Sequence, residues 1–224
     1  MGKPPVTRKQ SVTRAAEDYL KAILELESPD GVSTGALAGH LGLSQPSVTR
    51  MTQKLERDGL VSRVPYRGVT LTDTGRRVAL EVLRHHRLLE LFLAKNLGLP
   101  LDEVHAEADR LEHVLSEELE ARIDAALGHP THDPHGHPIP DTELRLDTAV
   151  KRSLSELAAG ESATVLRVPD RDSELLRYLG ELRLVPGATV EVVAHGPFDG
   201  PVTLRSQTGE HAIARELAVA IAVA

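Results

Sequence analysis

The chain has 224 residues, of which 41% are apolar and 26% charged, which suits one or two globular domains with real cores. It has no cysteine, which excludes disulfide frameworks, zinc fingers and thiolate metal sites, so any transition-metal site must be built from oxygen and nitrogen. The net charge of −7 hides an asymmetry: residues 1–77 carry 12 Lys and Arg against 8 Asp and Glu, and the remainder 14 against 25, so a basic module precedes an acidic one.

No apolar run approaches the roughly 18 residues that span a bilayer, and Met1 to Gln10 is polar and basic, so a cytoplasmic protein without membrane partners is expected. Aromatics make up only 2% of the chain and Trp is absent, which leaves little for stacking on a single strand.

From Ser11 to Glu27, Val12, Ala15, Ala16, Tyr19, Leu20, Ile23, Leu24 and Leu26 recur at helical spacing, and Pro29-Asp30-Gly31 ends the run. Ser33 or Thr34 caps a short second helix to His40, and Gly42 supplies the turn that follows. Ser44-Gln45-Pro46 opens a third helix to about Asp58, with a capping oxygen and a proline in the first turn, where its missing N–H costs nothing. Its apolar stripe is Val48, Met51 and Leu55. Two β-branched runs, 60–64 and 69–72, flank Pro65-Tyr66-Arg67-Gly68 as a hairpin.

Helix, short helix, turn, helix and two-stranded wing make a winged helix-turn-helix over residues 1–73, a unit that docks its third helix in the major groove of double-stranded DNA. Arg50 is assigned to a base edge or the adjacent phosphate, with Ser44, Pro46, Ser47 and Thr49 making short-range contacts near the helix start. Lys54, Arg57 and Arg67 are expected to clamp phosphates.

Residues 74–141 read as helical. Asp73-Thr74-Gly75 opens a helix from Arg76 to Asn96 with more leucines than one small core needs, and a second helical run extends from Leu101 to about Leu127. Together they predict a dimerisation hairpin, and a homodimer would read two half-sites about 34 Å apart. His86 and Glu90 share a face at i, i+4 spacing. In the second run, His105, Asp109, Glu112 and His113 fall within an arc of about 100°, so two imidazoles and two carboxylates point the same way. Such a set suits Mn²⁺, Fe²⁺, Co²⁺ or Zn²⁺. A solvated charged face is the competing reading.

His129 to Pro138 is a proline-rich loop with four histidines, and Asp141 to Ala149 is a polar linker. Residues 150–224 hold short strands at 162–168, 189–193, 202–205 and 218–221, with a helix from Asp172 to Leu182 between the first two. The fold class expected is mostly α with a small β component.

Glu17-Asp18-Tyr19-Leu20, the winged helix, His86-Arg87-Leu88-Leu89-Glu90, His105 through Asp109, Glu112-His113 and Pro134-His135-Gly136-His137-Pro138-Ile139-Pro140 resemble the diphtheria toxin repressor family of iron- and manganese-dependent transcriptional regulators. The resemblance is closest from about Ala16 to Pro140. It implies a C-terminal SH3-like, FeoA-like barrel, a primary metal site of Asp18, Asp109, Glu112 and His113, and an ancillary site of His86, Glu90 and His105. The barrel would complete the ancillary site, best through Asp172 and next through Glu174.

Iron-sensing relatives place methionine and cysteine where this chain has Asp18 and Asp109, and manganese-sensing relatives place aspartate and glutamate. The resemblance therefore implies Mn²⁺ first and Fe²⁺ second, with Co²⁺, Zn²⁺ or Cd²⁺ as substitutes in vitro. Two departures stand out: Asp109 is a methylene shorter than the usual glutamate, and Lys21 stands where the short manganese regulators have a bridging glutamate, which argues against a fused two-metal cluster. The function implied is repression of metal-uptake genes from a DNA operator, with no catalysis and no small-molecule substrate. The alternatives are a winged-helix regulator of a small organic effector and a dinuclear metalloenzyme, the latter lacking the paired Glu-x-x-His signatures of four-helix di-metal sites.

Overall fold

The computed structural model describes residues 12–64, 68–147, 149 and 151–224, and the chain divides into two compact units, Met1–Leu83 and Arg84–Ala224.

In the first unit, α1 (Arg14–Glu25) starts at Thr13, whose side chain accepts from the Ala16 N–H, and it buries Ala16, Tyr19, Leu20, Ile23 and Leu24. Ser33 caps α2 (Thr34–Leu41), and Gly42 closes it in the left-handed region at φ 64°. The third helix, α3 (Gln45–Arg57), buries Val48, Thr52 and Leu55, while Met51 is only half-buried. Ser44 holds the N-cap position without making the expected cap bond; its hydroxyl instead lies 3.0 Å from Ser47 Oγ.

Strands β1 (Val61–Val64) and β2 (Gly68–Leu71) pair antiparallel from Val61↔Leu71 to Val64↔Gly68. Val32 and Val69 exchange two backbone bonds of 2.9 Å, which ties the segment before α2 to the wing. Gly68 is required there, since φ is 114° and a Cβ would lie 2.2 Å from the Val32 carbonyl oxygen. Pro65, Tyr66 and Arg67, with the phosphate contact expected of Arg67, lie outside the described residues.

The long helix α4 (Asp73–Leu97) begins in the first unit and carries the chain into the second. There the single helical run expected from Leu101 to Leu127 is two helices, α5 (Leu101–Leu111) and α6 (Glu117–Leu127). Ser116 starts the second by accepting from the Leu119 N–H at 3.3 Å, and Glu117, Glu118 and Glu120 place negative charge on its positive end. Glu112 thus caps α5 and His113 lies in the turn, so the four residues expected on one helical face are delivered by a helix and its exit. Leu88, Leu89, Ala108, Ile123, Leu127 and Ile139 form the core of this region.

The remainder is an antiparallel sheet ordered β3-β8-β4-β5-β6-β7, with β3 Arg152–Ser153, β4 Ser162–Arg167, β5 Thr189–His195, β6 Val202–Ser206, β7 Gly209–Ile213 and β8 Ala222–Val223. Its strands and α7 (Ser173–Glu181) enclose a separate core around Val165, Leu179, Leu184, Val192, Leu204 and Ile213. The strand expected at 218–221 is instead the end of a short helix, α8 (Arg215–Ala220), where Glu216, Leu217, Ala218 and Ala220 favour helix, and β8, which pairs with both β3 and β4, follows it. No helix among the described residues is long and apolar enough to cross a membrane.

Candidate metal centre and DNA-binding face

The middle of α4 presents its ligand-type residues inward. His86 is 3% exposed and Glu90 is fully buried, although both are polar, so each must find partners or lose free energy. One oxygen of Glu90, Oε1, lies 3.0 Å from His86 Nε2 and 3.0 Å from His105 Nδ1, and these nitrogens are 3.1 Å apart. Three donors in a triangle of that size match one face of an octahedron whose metal–ligand bonds are about 2.1–2.2 Å, the range of a medium-sized divalent cation. On the other side of the ring, His86 Nδ1 meets Glu112 Oε2 at 2.6 Å and Asp109 Oδ1 at 3.3 Å. Asp109 also approaches His105 Nε2, at 3.7 Å, and Glu112 Oε1 lies 3.3 Å from His113 Nε2.

A second group lies beside the first. The loop after α6 folds back so that Asp133 accepts from the His135 and His137 N–H groups, at 2.8 and 2.9 Å. Gly136 sits at φ 90° against β4, and the His135 carbonyl accepts from the Val168 N–H at 3.0 Å. The His135 ring is thereby turned inward, with Nε2 2.9 Å from the Leu101 carbonyl oxygen and Nδ1 3.8 Å from Glu90 Oε2. Glu90 Oε2, Asp133 Oδ2, His135 Nδ1 and His137 Nδ1 are buried with no hydrogen-bond partner among the described residues. Glu90, Asp133, His135 and Asp170 each offer a donor atom within 4.8 Å of the others. These atoms meet charged neighbours only at 3.4–3.8 Å, too far for good hydrogen bonds, so a cation joining them would be favourable, and the set fits a divalent ion.

The electrostatics follow. Burial works against the His86 imidazolium, but Glu90, Asp109 and Glu112 outweigh it and hold the pKa well above the usual value. For Glu90, burial is overcome by His86, His105 and His135, and the carboxyl stays ionised well below the ordinary range. His135 is likewise opposed by burial and raised to about 9, chiefly by Glu90.

The structure gathers His86, Glu90, His105, Asp109, Glu112 and His113 in the second unit. Asp18 is half-buried on α1, in the first unit. Asp172 is placed differently from the sequence expectation: it is the N-cap of α7, its Oδ1 accepting from the Glu174 and Leu175 N–H groups at 2.9 and 3.1 Å, and both it and Glu174 are exposed. The barrel residue that reaches the buried group is Asp170. Asp133, His135 and Asp170 were thus not singled out as candidate ligands; the histidine density of the loop was the available signal, while nothing in the sequence marked Asp170 over Asp172.

On the first unit, Ser44, Pro46, Arg50, Lys54 and Arg57 are exposed on α3, with Ser47 and Thr49 half-buried. Arg50 Nη2 donates to Ser47 Oγ at 3.3 Å, and Arg57 Nε donates to the Gln53 carbonyl at 3.4 Å.

Residues 11–69 match the family described as iron dependent repressor, N-terminal DNA binding domain; residues 72–141 match its metal binding and dimerisation domain; and residues 152–224 match the FeoA domain. The iron-dependent repressor IdeR of Mycobacterium tuberculosis is 38% identical over 190 residues, covering 79% of this chain and 82% of the relative. The diphtheria toxin repressor of Corynebacterium efficiens is 43% identical over the same shares. Among solved structures, a manganese-dependent transcriptional repressor in complex with manganese is 40% identical with a TM-score of 0.84, covering 93% of this chain and 98% of that one. ScaR with bound Cd²⁺ is 32% identical with a TM-score of 0.82 over the same shares.

Proposed function

The chain belongs to the iron-dependent repressor family of metal-dependent, DNA-binding transcriptional repressors, and from that premise we propose that it is a manganese-responsive repressor of metal-uptake genes that acts as a homodimer on a DNA operator. The observation that carries the reading is the donor set: carboxylate oxygens and imidazole nitrogens, several of them buried and without a hydrogen-bond partner among the described residues, with no sulfur ligand. Such a set suits Mn²⁺ by ligand type, and the similar structures include one solved with manganese. Fe²⁺ is the second reading, favoured by the iron-dependent relatives IdeR and the diphtheria toxin repressor.

In this reading His86, Glu90 and His105 form one ligand group, Glu90, Asp133, His135 and Asp170 the adjoining one, and Glu112 and His113 belong to a switch site with Asp18, which the resemblance carries over. Asp109 can serve either the first group or the switch site. A bound cation supplies positive charge that these side chains cannot supply to one another. Without it, Asp18, Asp109 and Glu112 would bring three negative charges into one small space and resist association of α1 with the dimerisation helices. A cation that binds only the associated state stabilises it by about 2.7 kcal/mol at 100 times its Kd. A switch from 1:99 to 99:1 needs about 5.5 kcal/mol, within the reach of two or more linked ions.

On DNA, Arg50 reads a base edge, Ser44, Pro46, Ser47 and Thr49 fit the groove wall, and Lys54, Arg57 and Arg67 neutralise phosphates. The test is operator binding across a metal series at fixed salt: stimulation by Mn²⁺ and its loss on chelation support the reading, and binding indifferent to metal refutes it.

A further inference from the structure

We infer that His85 is a positioning residue for Glu112 and His113: its imidazole clamps the backbone of the turn that delivers these two side chains and ties that turn to α6. This rests on the metal-binding reading above and concerns what holds the switch-site ligands in place. Glu112 and His113 sit where α5 stops, and the carbonyls at the end of a helix run out of helical N–H groups to accept from. At that point His85 Nδ1 donates to the Glu112 carbonyl oxygen at 3.1 Å, in a buried bond. The next residue, His86, meets the Glu112 carboxylate at 2.6 Å. Two consecutive residues of α4 thus grip Glu112, one by its backbone and one by its side chain.

The His85 ring is itself held. It is buried, and its Nε2 lies 3.1 Å from Glu120 Oε2 on α6. The other oxygen of Glu120 accepts from Arg84 Nε at 2.5 Å, and Arg84, also buried, donates to the Pro140 carbonyl at 2.7 Å. The ring cannot swing away without stranding a buried carbonyl and a carboxylate. The turn needs such a clamp, because Glu112-His113-Val114-Leu115-Ser116 contains no glycine or proline to fix its path, and Val114 is exposed. Filling space between α4 and α6 would require only an apolar side chain of the same size. A donor aimed at the Glu112 carbonyl does more, since metal ligands must be held to within about 0.5 Å by groups that are themselves locked.

The test uses the full chain and two substitutions that divide the ring between them. The amide nitrogen of asparagine can stand in for Nδ1 and that of glutamine for Nε2, so His85→Asn keeps the bond to the Glu112 carbonyl and His85→Gln keeps only the bond to Glu120. Two readouts are taken: hydrogen exchange of the Glu112 and Val114 amides in chelator, and the Mn²⁺ concentration at half-maximal stimulation of binding to a duplex selected with the wild type. His85→Asn is expected to stay close to the wild type in both. His85→Gln is expected to exchange faster at the two amides and to need about 10–100 times more Mn²⁺, the usual effect of losing a group that orients a metal ligand. Equal behaviour of the two variants, or the reverse order, overturns the clamp. Should either fail to fold, as judged by circular dichroism, exchange in the wild type decides: protection of the two amides equal to that of α5 supports the clamp, and exchange at open-chain rates overturns it. Wild-type DNA binding indifferent to Mn²⁺ would overturn the metal-binding reading and the role of the clamp with it. Stimulated wild-type binding with the two variants alike would overturn the clamp and leave that reading standing.

Discussion

Glu90 Oε2 and His135 Nδ1 face each other at 3.8 Å inside the second unit, both side chains fully buried, and neither atom has a hydrogen-bond partner among the described residues. The separation is too long for a hydrogen bond and short enough for strong attraction between a carboxylate and an imidazolium. A cation placed between them would remove the proton and take over its charge. This pair joins α4 to the loop that leads toward the barrel, so a metal bound there would be coupled to the seating of that loop.

Removing His135 leaves Glu90 with His86 and His105 only. His135→Ala is expected to lower the stability of the chelated protein by about 1–3 kcal/mol, the cost of a buried polar group losing a partner. It should also weaken Mn²⁺ binding by at least about tenfold, the lower end for loss of a ligand contact of about 1.4 kcal/mol. Denaturant unfolding in chelator and a Mn²⁺ titration measure the two effects separately.

The pKa directions set opposite pH dependences with and without metal. His135, raised to about 9, and His86, also raised, stabilise the metal-free fold fully below the unfolded value near 6.5, and for His135 that contribution fades as pH climbs through about 9. Glu90, lowered, contributes above about 4.5 and loses that contribution as pH falls through its folded value. Metal needs neutral imidazoles, so Mn²⁺ affinity should rise from pH 6 to pH 9 and binding should release about one proton or more. Calorimetry in two buffers of different ionisation enthalpy measures that release, and melting curves in chelator should fall from pH 7 to pH 9.5.

Gly136 tests the loop. Its φ of 90° and the 1.8 Å that would separate a Cβ from the Leu166 carbonyl oxygen leave no room for a side chain. Gly136→Ala should lift the loop from β4, displace His135, and reduce both the melting temperature and the bound metal. A variant with unchanged metal content would show that the loop is dispensable to the centre.

On the DNA side, Arg50→Ala should cost about 1–3 kcal/mol on the preferred operator and relax base preference, whereas Lys54→Ala should weaken binding to every sequence and reduce the salt slope by about one. Equal loss on all sequences for Arg50→Ala would remove its assignment to a base edge. Binding curves on preferred and scrambled duplexes at several salt concentrations separate the two.

Much of the first unit was legible because its signals are local: Ser33 and Gly42 bound α2, Pro46 sits in the first turn of α3, and glycine stands where the wing needs it. The ligand types of α4 and α5 were legible for the same reason, since i, i+4 spacing fixes a face. The break at Glu112–Ser116 was not, because helical periodicity continues across it and the serine cap competes only weakly with propagation. Asp170 was missed in favour of Asp172 because two carboxylates two residues apart differ only in what the fold does with them: one caps α7, the other turns toward the loop. Strand β7, with Ile213 its one fully buried residue, had no alternation to find.

The central claim is that a cation linking the DNA-binding unit to the dimerisation helices licenses operator binding. Its most direct test is fluorescence anisotropy of a duplex selected from a random library with Mn²⁺ present, titrated with wild type and with Asp18→Ala, each with Mn²⁺ and with chelator. The account predicts that Mn²⁺ tightens wild-type binding by at least about tenfold, as for a coupling of 1.4 kcal/mol or more, and leaves folded Asp18→Ala unchanged. Equal stimulation of both proteins would contradict it.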